Sequence, residues 1–249
     1  MIIDTHCHVY DSEIRNAEEI IAKAAENDIQ LILNGTDPFS NRKVMELSAK
    51  YENVHAALGY FHTFADEVTD DDISLLDDQL GNGNAVAVGE IGLDYYHGKD
   101  NRDEQIELFE KMIGLAEKHD LPVIVHSRKS MQDTFDILKS HDVLGSLHSY
   151  SGSAEMADRF IKLGFYIGIG GAVTNTNNKK VRKTLKRIGI DHVVVETDSP
   201  YMTPEEKRGE KNTPLNIKYV IGKIAEELGM SEDEVISKTA KNAKGLFGI

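Results

Sequence analysis

The feature that most constrains the fold of this chain is its rhythm: short apolar runs of strand length alternate with longer stretches of helical periodicity. After a first strand beginning at Met1-Ile2-Ile3, apolar runs recur at 30–34, 54–59, 85–88, 122–125, 143–147, 165–169 and 193–195. The intervening stretches are 12–27, 42–50, 70–80, 102–119, 131–139, 154–163 and 181–188. In the first of these, Ile14, Ala17, Ile20, Ile21 and Ala24 recur at helical spacing, and in 102–119 Ile106, Phe109, Met112, Ile113 and Ala116 share one face. Two helices close the chain. One is marked by Ile217, Val220, Ile221, Ile224 and Leu228, and the other opens on Ser231-x-x-Glu234, a capping-box pattern behind Gly229. Eight alternating units in 249 residues have the size and order of a (β/α)8 TIM barrel, with an open doubly wound sheet as the alternative. No Gly-x-Gly-x-x-Gly follows an early strand, which weakens the dinucleotide-binding form of that alternative. The length suits one sizeable core, so residues 1–249 are expected to form a single domain, although two small ones would also fit.

Chemistry in such a barrel gathers at the C-terminal ends of the strands. Those ends carry His6 and His8 after strand one, Glu90 and Asp94 after strand four, and His126 and Arg128 after strand five. His148 follows strand six, and Glu196 and Asp198 follow strand eight. In Asp4-Thr5-His6-Cys7-His8, alternation puts Asp4, His6 and His8 on one strand face, so two imidazoles can offer half of a tetrahedral metal shell. Each residue also has a plainer account: Glu90 and Asp94 as loop carboxylates, His126 as a packed histidine, Asp198 as a turn former before Pro200. Those accounts are hard to hold together, because chance gives no reason for all of them to fall at equivalent strand ends. The remaining histidines sort differently. His55, His97, His119, His141 and His192 read as structural or solvated, and His62, in the loop after strand three, stays open.

Composition narrows the classes. Hydrophobic residues at 40% and charged residues at 28% fit a folded globular chain rather than a disordered one. With 28 basic and 42 acidic residues the formal charge is -14, which argues against gripping nucleic acid with a broadly basic surface but not against a phosphate held near a metal. Cys7 is the only cysteine, so no internal disulfide can form, and it reads as a small apolar residue on the buried back of strand one. No run of 18 apolar residues and no secretory leader is present, so a cytoplasmic protein without membrane contact is expected.

Four segments carry a resemblance: Asp4-Thr5-His6-Cys7-His8, Gly-Glu-Ile-Gly-Leu-Asp-Tyr-Tyr at 89–96, Pro-Val-Ile-Val-His-Ser-Arg at 122–128 and Glu-Thr-Asp-Ser-Pro-Tyr at 196–201. They occur in the order of the TatD family of metal-dependent hydrolases and deoxyribonucleases, which this chain resembles over its whole length. The family is similar in fold to amidohydrolase-type TIM barrels. Carried over motif by motif, the resemblance implies metal ligation by His6, His8, Glu90, His126, His148 and Asp198. It implies two divalent ions (magnesium, manganese or zinc), with His6, His8 and Asp198 favouring one, His126 and His148 the other, and Glu90 between them. Asp198 would also take the proton of the attacking water, and Glu90 shares the catalytic role. Arg128 and Tyr95 are expected to meet the substrate, with Tyr96 offering a further stacking surface, although packing under the loop accounts equally well for the two tyrosines; most of the basic residues of 179–187 read as a solvated helix face whose first lysines can reach the rim. Two departures stand out. Phe61 occupies the usual histidine position of a Gly-x-His-Pro segment, with His62 one residue later, and Ser149-Tyr150 replaces the usual Cys-Phe after His148.

The activity this implies is hydrolysis of phosphodiester bonds at DNA ends, as a 3'-5' exodeoxyribonuclease on a single strand. The same centre could instead cleave another ester or amide, as in D-aminoacyl-tRNA deacylation, because an activated water can attack phosphorus or carbonyl carbon. A metal-binding interaction protein is the non-enzymatic alternative; a structural metal site would have no open ligand position.

Overall fold

The computed structural model describes residues 1–10, 14, 16–97 and 100–249. In them eight strands pair in parallel in sequence order: β1 (Ile2–Cys7), β2 (Ile29–Asn34), β3 (Val54–Leu58), β4 (Ala85–Asp94), β5 (Val123–Arg128), β6 (Gly145–Leu147), β7 (Tyr166–Ile169) and β8 (Val193–Val195). Between them run α1 (Ala17–Glu26), α2 (Pro38–Lys50), α3 (Asp70–Gly81), α4 (Arg102–His119), α5 (Met131–Leu138), α6 (Ala154–Lys162) and α7 (Lys179–Ile188), followed by α8 (Ile217–Leu228) and α9 (Glu232–Phe247). The result is a (β/α)8 barrel rather than an open sheet.

Several boundaries differ from the sequence pattern, β5 among them, which runs on to Arg128 and so takes His126 and Arg128 inside the strand; two of the differences have a plain local cause. Helix α2 starts at Pro38 instead of 42, because the Asp37 carboxylate accepts the N–H groups of Phe39 and Ser40 at 2.7 and 2.9 Å and Pro38 needs no partner in the first turn. Strand β4 does not stop at Val88. The glycines that suggest a loop in sequence lie within a strand, where Ile91 to Asp94 pair with Val125 to Arg128. Gly92 has φ +131, and a Cβ there would stand 2.1 Å from the His126 carbonyl oxygen, so glycine is what lets β4 and β5 approach. The start expected for the first helix at Ser12 lies outside the described residues, and α1 itself begins at Ala17.

Two of the strands that carry site residues, β1 and β4, are bulged. The register advances three residues on β1 (Asp4 to Cys7) against two on β2, and three on β4 (Val88 to Ile91) against two on β5. A bulge re-aims the side chains around it. On β1 it breaks the alternation that grouped Asp4 with His6 and His8, and on β4 it falls at Glu90.

Below these bulges the barrel has an apolar floor of Ile3, Ile32, Ala57, Ala87, Ile124 and Val194, sealed by Ala243 and Phe247 of α9. Two residues further along the same strand faces come Asn34, His126 and Glu196, so the polar layer sits one pleat above the floor. Cys7 faces the other way, into the layer between barrel and helices, as expected.

The seam between β8 and β1 closes by contacts past the strand ends. Asp198 N–H donates to the His6 carbonyl at 2.9 Å, and His8 N–H to the Ser199 carbonyl at 2.7 Å. The Asp4 carboxylate accepts the Thr197 N–H at 2.9 Å and its hydroxyl at 2.6 Å, fully buried. Asp4→Ala would strand both Thr197 donors, so denaturant unfolding should show a loss of about 2–4 kcal/mol. Asp4→Asn, which keeps one acceptor, should lose less than half of that, and Glu46→Ala, at the exposed pair with Lys43, should leave the midpoint unchanged.

Candidate metal centre

Six side chains from five strands converge above the floor. β1 brings His6 and, one residue past its end, His8; Glu90 and His126 lie inside β4 and β5; His148 and Asp198 follow β6 and β8. Glu90 lies between two histidine pairs. Its Oε2 is 3.4 Å from Nε2 of both His6 and His8, while its Oε1 is 3.2 Å from His126 Nδ1 and 3.8 Å from His148 Nε2. Asp198 divides in the same way: Oδ1 is 3.7 Å from Nε2 of both His6 and His8, and Oδ2 is 3.9 Å from His148 Nε2.

The outward nitrogens of these rings explain which nitrogen faces in. His8 Nδ1 stands 2.9 Å from the Asn34 carbonyl and 3.0 Å from the Tyr10 hydroxyl, so an Nδ1–H donated to Asn34 leaves the Nε2 lone pair for the centre. His126 is turned the other way round, with Nε2 3.3 Å from Asp94 Oδ2 and Nδ1 towards Glu90. His148 Nδ1 lies 3.2 Å from Glu196 Oε1, an ion-pair contact away from the line of a good hydrogen bond. Glu196 is itself held by the Ser149 N–H at 2.5 Å and lies over Gly168 of β7, where a Cβ would come within 2.5 Å of its Oε2. His6 Nδ1 is buried without a hydrogen-bond partner.

Burial would keep these groups neutral, and their mutual fields divide the charge instead. Burial pushes the Glu90 carboxyl up, but His6, His126 and His8 outweigh it and hold the group well below the usual carboxylate range. Burial also pushes Asp198 up, to about 6, against the pull of His148 and His8. Burial lowers His148, but Glu196 and Asp198 raise it to about 10. Burial and the neighbouring His148 hold His6 well below its ordinary value.

This donor set fits divalent cations. Ligands at roughly 2.0–2.2 Å from one tetrahedral ion stand about 3.3–3.6 Å apart, close to the spacings of the His6, His8, Glu90 group and the Glu90, His126, His148 group. Imidazole and carboxylate without thiolate suits zinc, manganese or iron, and the carboxylates also suit magnesium. A third grouping, His62, Asp94 and His126, adjoins the second. Asp94 is its hub: Oδ1 accepts the N–H groups of Tyr96 and His97 at 2.8 and 3.0 Å, and Oδ2 is 2.8 Å from His97 Nδ1 and 3.8 Å from His62 Nε2. The spacing Glu90-x-x-x-Asp94 along one extended segment was the sequence signal for this role.

Beside the centre opens a cleft of about 420 Å³, walled by His8 and Glu90 on one side and by Tyr10, Thr36, Asp37, Phe39, Ser40, Phe61 and Tyr201 elsewhere. Phe61 lines it, its ring 5.0 Å from that of His126, whereas His62 turns to Asp94. Of the residues expected at the substrate, Arg128 stacks on the exposed ring of Tyr96 at 4.1 Å. Tyr95 is buried, and its hydroxyl donates to Asp133 at 2.7 Å. Most of the basic cluster of α7 is a self-paired helix face: Arg182 and Lys186 pair with Glu227 and Arg187 with Glu155 and Asp158, whereas Lys180, in the first turn, donates to the Ser151 carbonyl in the rim loop that follows His148. Among the histidines set aside, His55 meets Gln30, His119 meets Asp77 and His141 meets Glu117, all away from the centre. His97 differs, because it reaches Asp94.

Comparison with known proteins gives one family. A family model described as TatD related DNase matches residues 3–248. The uncharacterized metal-dependent hydrolase YabD of Bacillus subtilis is 37% identical, with 100% of both chains covered. A metal-dependent hydrolase of Methanocaldococcus jannaschii, MJ1582, is 33% identical over 98% of this chain and 96% of its own. The crystal structure of YjjV, a TatD homolog from Escherichia coli, superposes with a TM-score of 0.93 at 31% identity, covering 100% of this chain and 98% of the other. Similarity in fold alone extends to an organophosphorus hydrolase from Deinococcus radiodurans, at 15% identity and a TM-score of 0.65.

If the sorting of the histidines is sound, His126→Ala should lower bound metal per chain, read by elemental analysis after dialysis, while His141→Ala leaves it unchanged. Equal losses from both would show that the centre does not depend on ligand contact.

Proposed function

The chain belongs to the TatD-related DNase family of metal-dependent hydrolases, and from that premise we propose that residues 1–249 act as one cytoplasmic hydrolase domain that releases nucleotides from DNA ends, as a 3'-5' exodeoxyribonuclease on single strands. The observation that carries this reading is Glu90, whose two carboxylate oxygens each face a different histidine pair at the open end of the barrel. That arrangement suits two cations sharing one carboxylate: His6, His8 and Asp198 on one side, His126 and His148 on the other. Bound there, divalent magnesium, manganese or zinc would polarise a phosphoryl oxygen and acidify an attacking water.

The other roles belong to side chains of this protein. Asp198 accepts the proton of the attacking water, a role open to a carboxylate whose oxygens face His6 and His8 on one side and His148 on the other. Glu90 holds the two halves of the centre in register. Asn34, Asp94 and Glu196 fix the rings of His8, His126 and His148, which sets the position of the reacting phosphate relative to Asp198. Arg128, steadied on Tyr96, meets a phosphate at the rim, and Tyr95 supports that loop from below through Asp133.

A second reading, hydrolysis of another ester such as that of a D-aminoacyl-tRNA, is favoured by one feature. The cleft carries the carboxylates of Asp37 and Glu90 and, among the described residues, no lysine or arginine in its lining.

The deciding experiment follows nucleotide release from an end-labelled single strand by chelated protein to which each divalent metal is returned, with a D-aminoacyl-tRNA assayed in parallel. Release of single nucleotides that depends on added metal is the expected result; deacylation without nucleotide release would establish the second reading. Strand binding by a catalytically inactive variant should also show a shallow salt dependence, with a slope of roughly 2 in log affinity against log salt, because each neutralised phosphate contributes about 0.7–0.9. A slope of roughly 6 or more would reveal an extended basic track.

A further inference from the structure

Burying apolar surface is favourable, so a concentration of exposed apolar side chains in one place marks a surface built to be covered. Of the large apolar side chains exposed among the described residues, Phe39, in the first turn of α2, and Tyr96, Tyr201 and Met202, on loops, stand at the rim that carries the centre, at 68, 60, 45 and 43% exposure. Two of them, Phe39 and Tyr201, also line the cleft, together with Phe61. These rings are tied to the centre itself: Tyr201 meets the His8 ring at 6.1 Å and Phe61 meets the His126 ring at 5.0 Å, each edge to face. A group seated among them is therefore covalently within reach of a phosphate held at Glu90 and Asp198.

The polar atoms of the cleft decide what that group is. The Tyr10 hydroxyl donates to the Asn34 carbonyl, and the Ser40 and Thr36 hydroxyls turn to the Asp37 carboxylate at 2.9 and 3.3 Å. The same carboxylate caps α2. These groups are engaged within the protein, so they do not form a pattern that reads the edge of a base. With no lysine or arginine in the lining among the described residues, and with Asp37 and Glu90 in the wall, the cleft does not suit a second phosphate. The three rings that line the cleft match a flat aromatic group recognised by its faces. Stacking of this kind tolerates any base, because every base offers a π-face.

We propose that the cleft formed by Phe39, Phe61 and Tyr201 is a base-stacking subsite that seats one nucleobase next to the phosphodiester bond at the centre, without discriminating among the bases. This rests on the reading of the site as one for nucleic-acid ends. It assigns strand capture largely to one stacked base rather than to a row of phosphate contacts.

The test is a binding measurement, so it does not require cleavage. A short single strand with 2-aminopurine at one end and hydrolysis-resistant phosphorothioate linkages is titrated with metal-loaded protein, with probes labelled at either end. Stacking quenches 2-aminopurine, and quenching should saturate for one of the two ends. The double variant Phe39→Ala/Tyr201→Ala should weaken that titration about tenfold or more, as loss of a base–aromatic stack does. Phe39→Tyr, which keeps the ring, should match the wild type, and so should Leu144→Ala on the barrel's opposite end. A strand ending in an abasic tetrahydrofuran should compete at least tenfold more weakly than one ending in any of the four bases. The inference is overturned if neither probe is quenched, if the double variant binds within about twofold of the wild type, or if the abasic strand competes equally well. Quenching with this pattern and no nucleotide release would overturn the hydrolytic reading and leave the subsite standing. Release without the pattern would do the reverse.

Discussion

A carboxylate taken out of water is tolerated only where opposite charge or hydrogen-bond donors surround it, and Glu90 is the group on which this constraint falls hardest. It is almost wholly buried at the top of the barrel, yet held ionised by imidazoles on both of its oxygens. Of the four rings that face Glu90 with one nitrogen, three bring the other to a polar group. His8 does so at the Asn34 carbonyl, His126 at Asp94, and His148 comes to ion-pair distance of Glu196. Those carboxylates are anchored in turn, Asp94 by the N–H groups of Tyr96 and His97 and Glu196 by the N–H of Ser149. One buried charge thus dictates three tiers of contacts and the backbone path of the loops that supply them.

The fold can deliver this because the polar layer sits on a sealed apolar one. Ile32, Ile124 and Val194 and the residues two further on share strand faces, so the step from core to chemistry is a single pleat. Bulges on β1 and β4 turn His6 and Glu90 towards each other, and glycines at 92 and 168 leave room where a Cβ would strike His126 or Glu196. Asp198 adopts φ +55, a left-handed conformation that aspartate tolerates better than most residues, and this turns the chain back at the seam where β8 meets β1.

The barrel and the six convergent side chains were legible in sequence because each leaves a local trace: an apolar run, then a ligand-type residue at its end. What escaped was non-local. Asp4 shares a parity with His6 and His8 that a bulge removes, and a bulge leaves no mark in a single strand's sequence because it is defined by the partner's register. The extension of β4 through Gly89 and Gly92 was hidden for a related reason, since glycine signals a loop unless a neighbouring strand is known to press against it. Tyr95 and Tyr96 are indistinguishable in sequence, and only the partners Asp133 and Arg128 show which one is buried and which is exposed. The aromatic wall of the cleft draws on residues as far apart as 39, 61 and 201, which no local pattern could join.

Charge placement ties these points together. At -14 the chain repels a polyanion at long range, and α7, whose sequence looks like a basic track, neutralises itself against Glu155, Asp158 and Glu227. Close to the centre, positive charge comes from His148, from any divalent cation the six side chains hold, and from Arg128 at the rim. A field confined in this way falls off within about 10 Å at ordinary ionic strength, a few nucleotides at most. On the proposed reading a strand would then be drawn in by one end rather than along its length, and affinity that does not come from a row of phosphates would come from apolar contact at the mouth. The acidic surface and the exposed rings of Phe39 and Tyr201 both agree with the proposed reading, in which the centre takes one phosphate group and the cleft takes the planar group next to it.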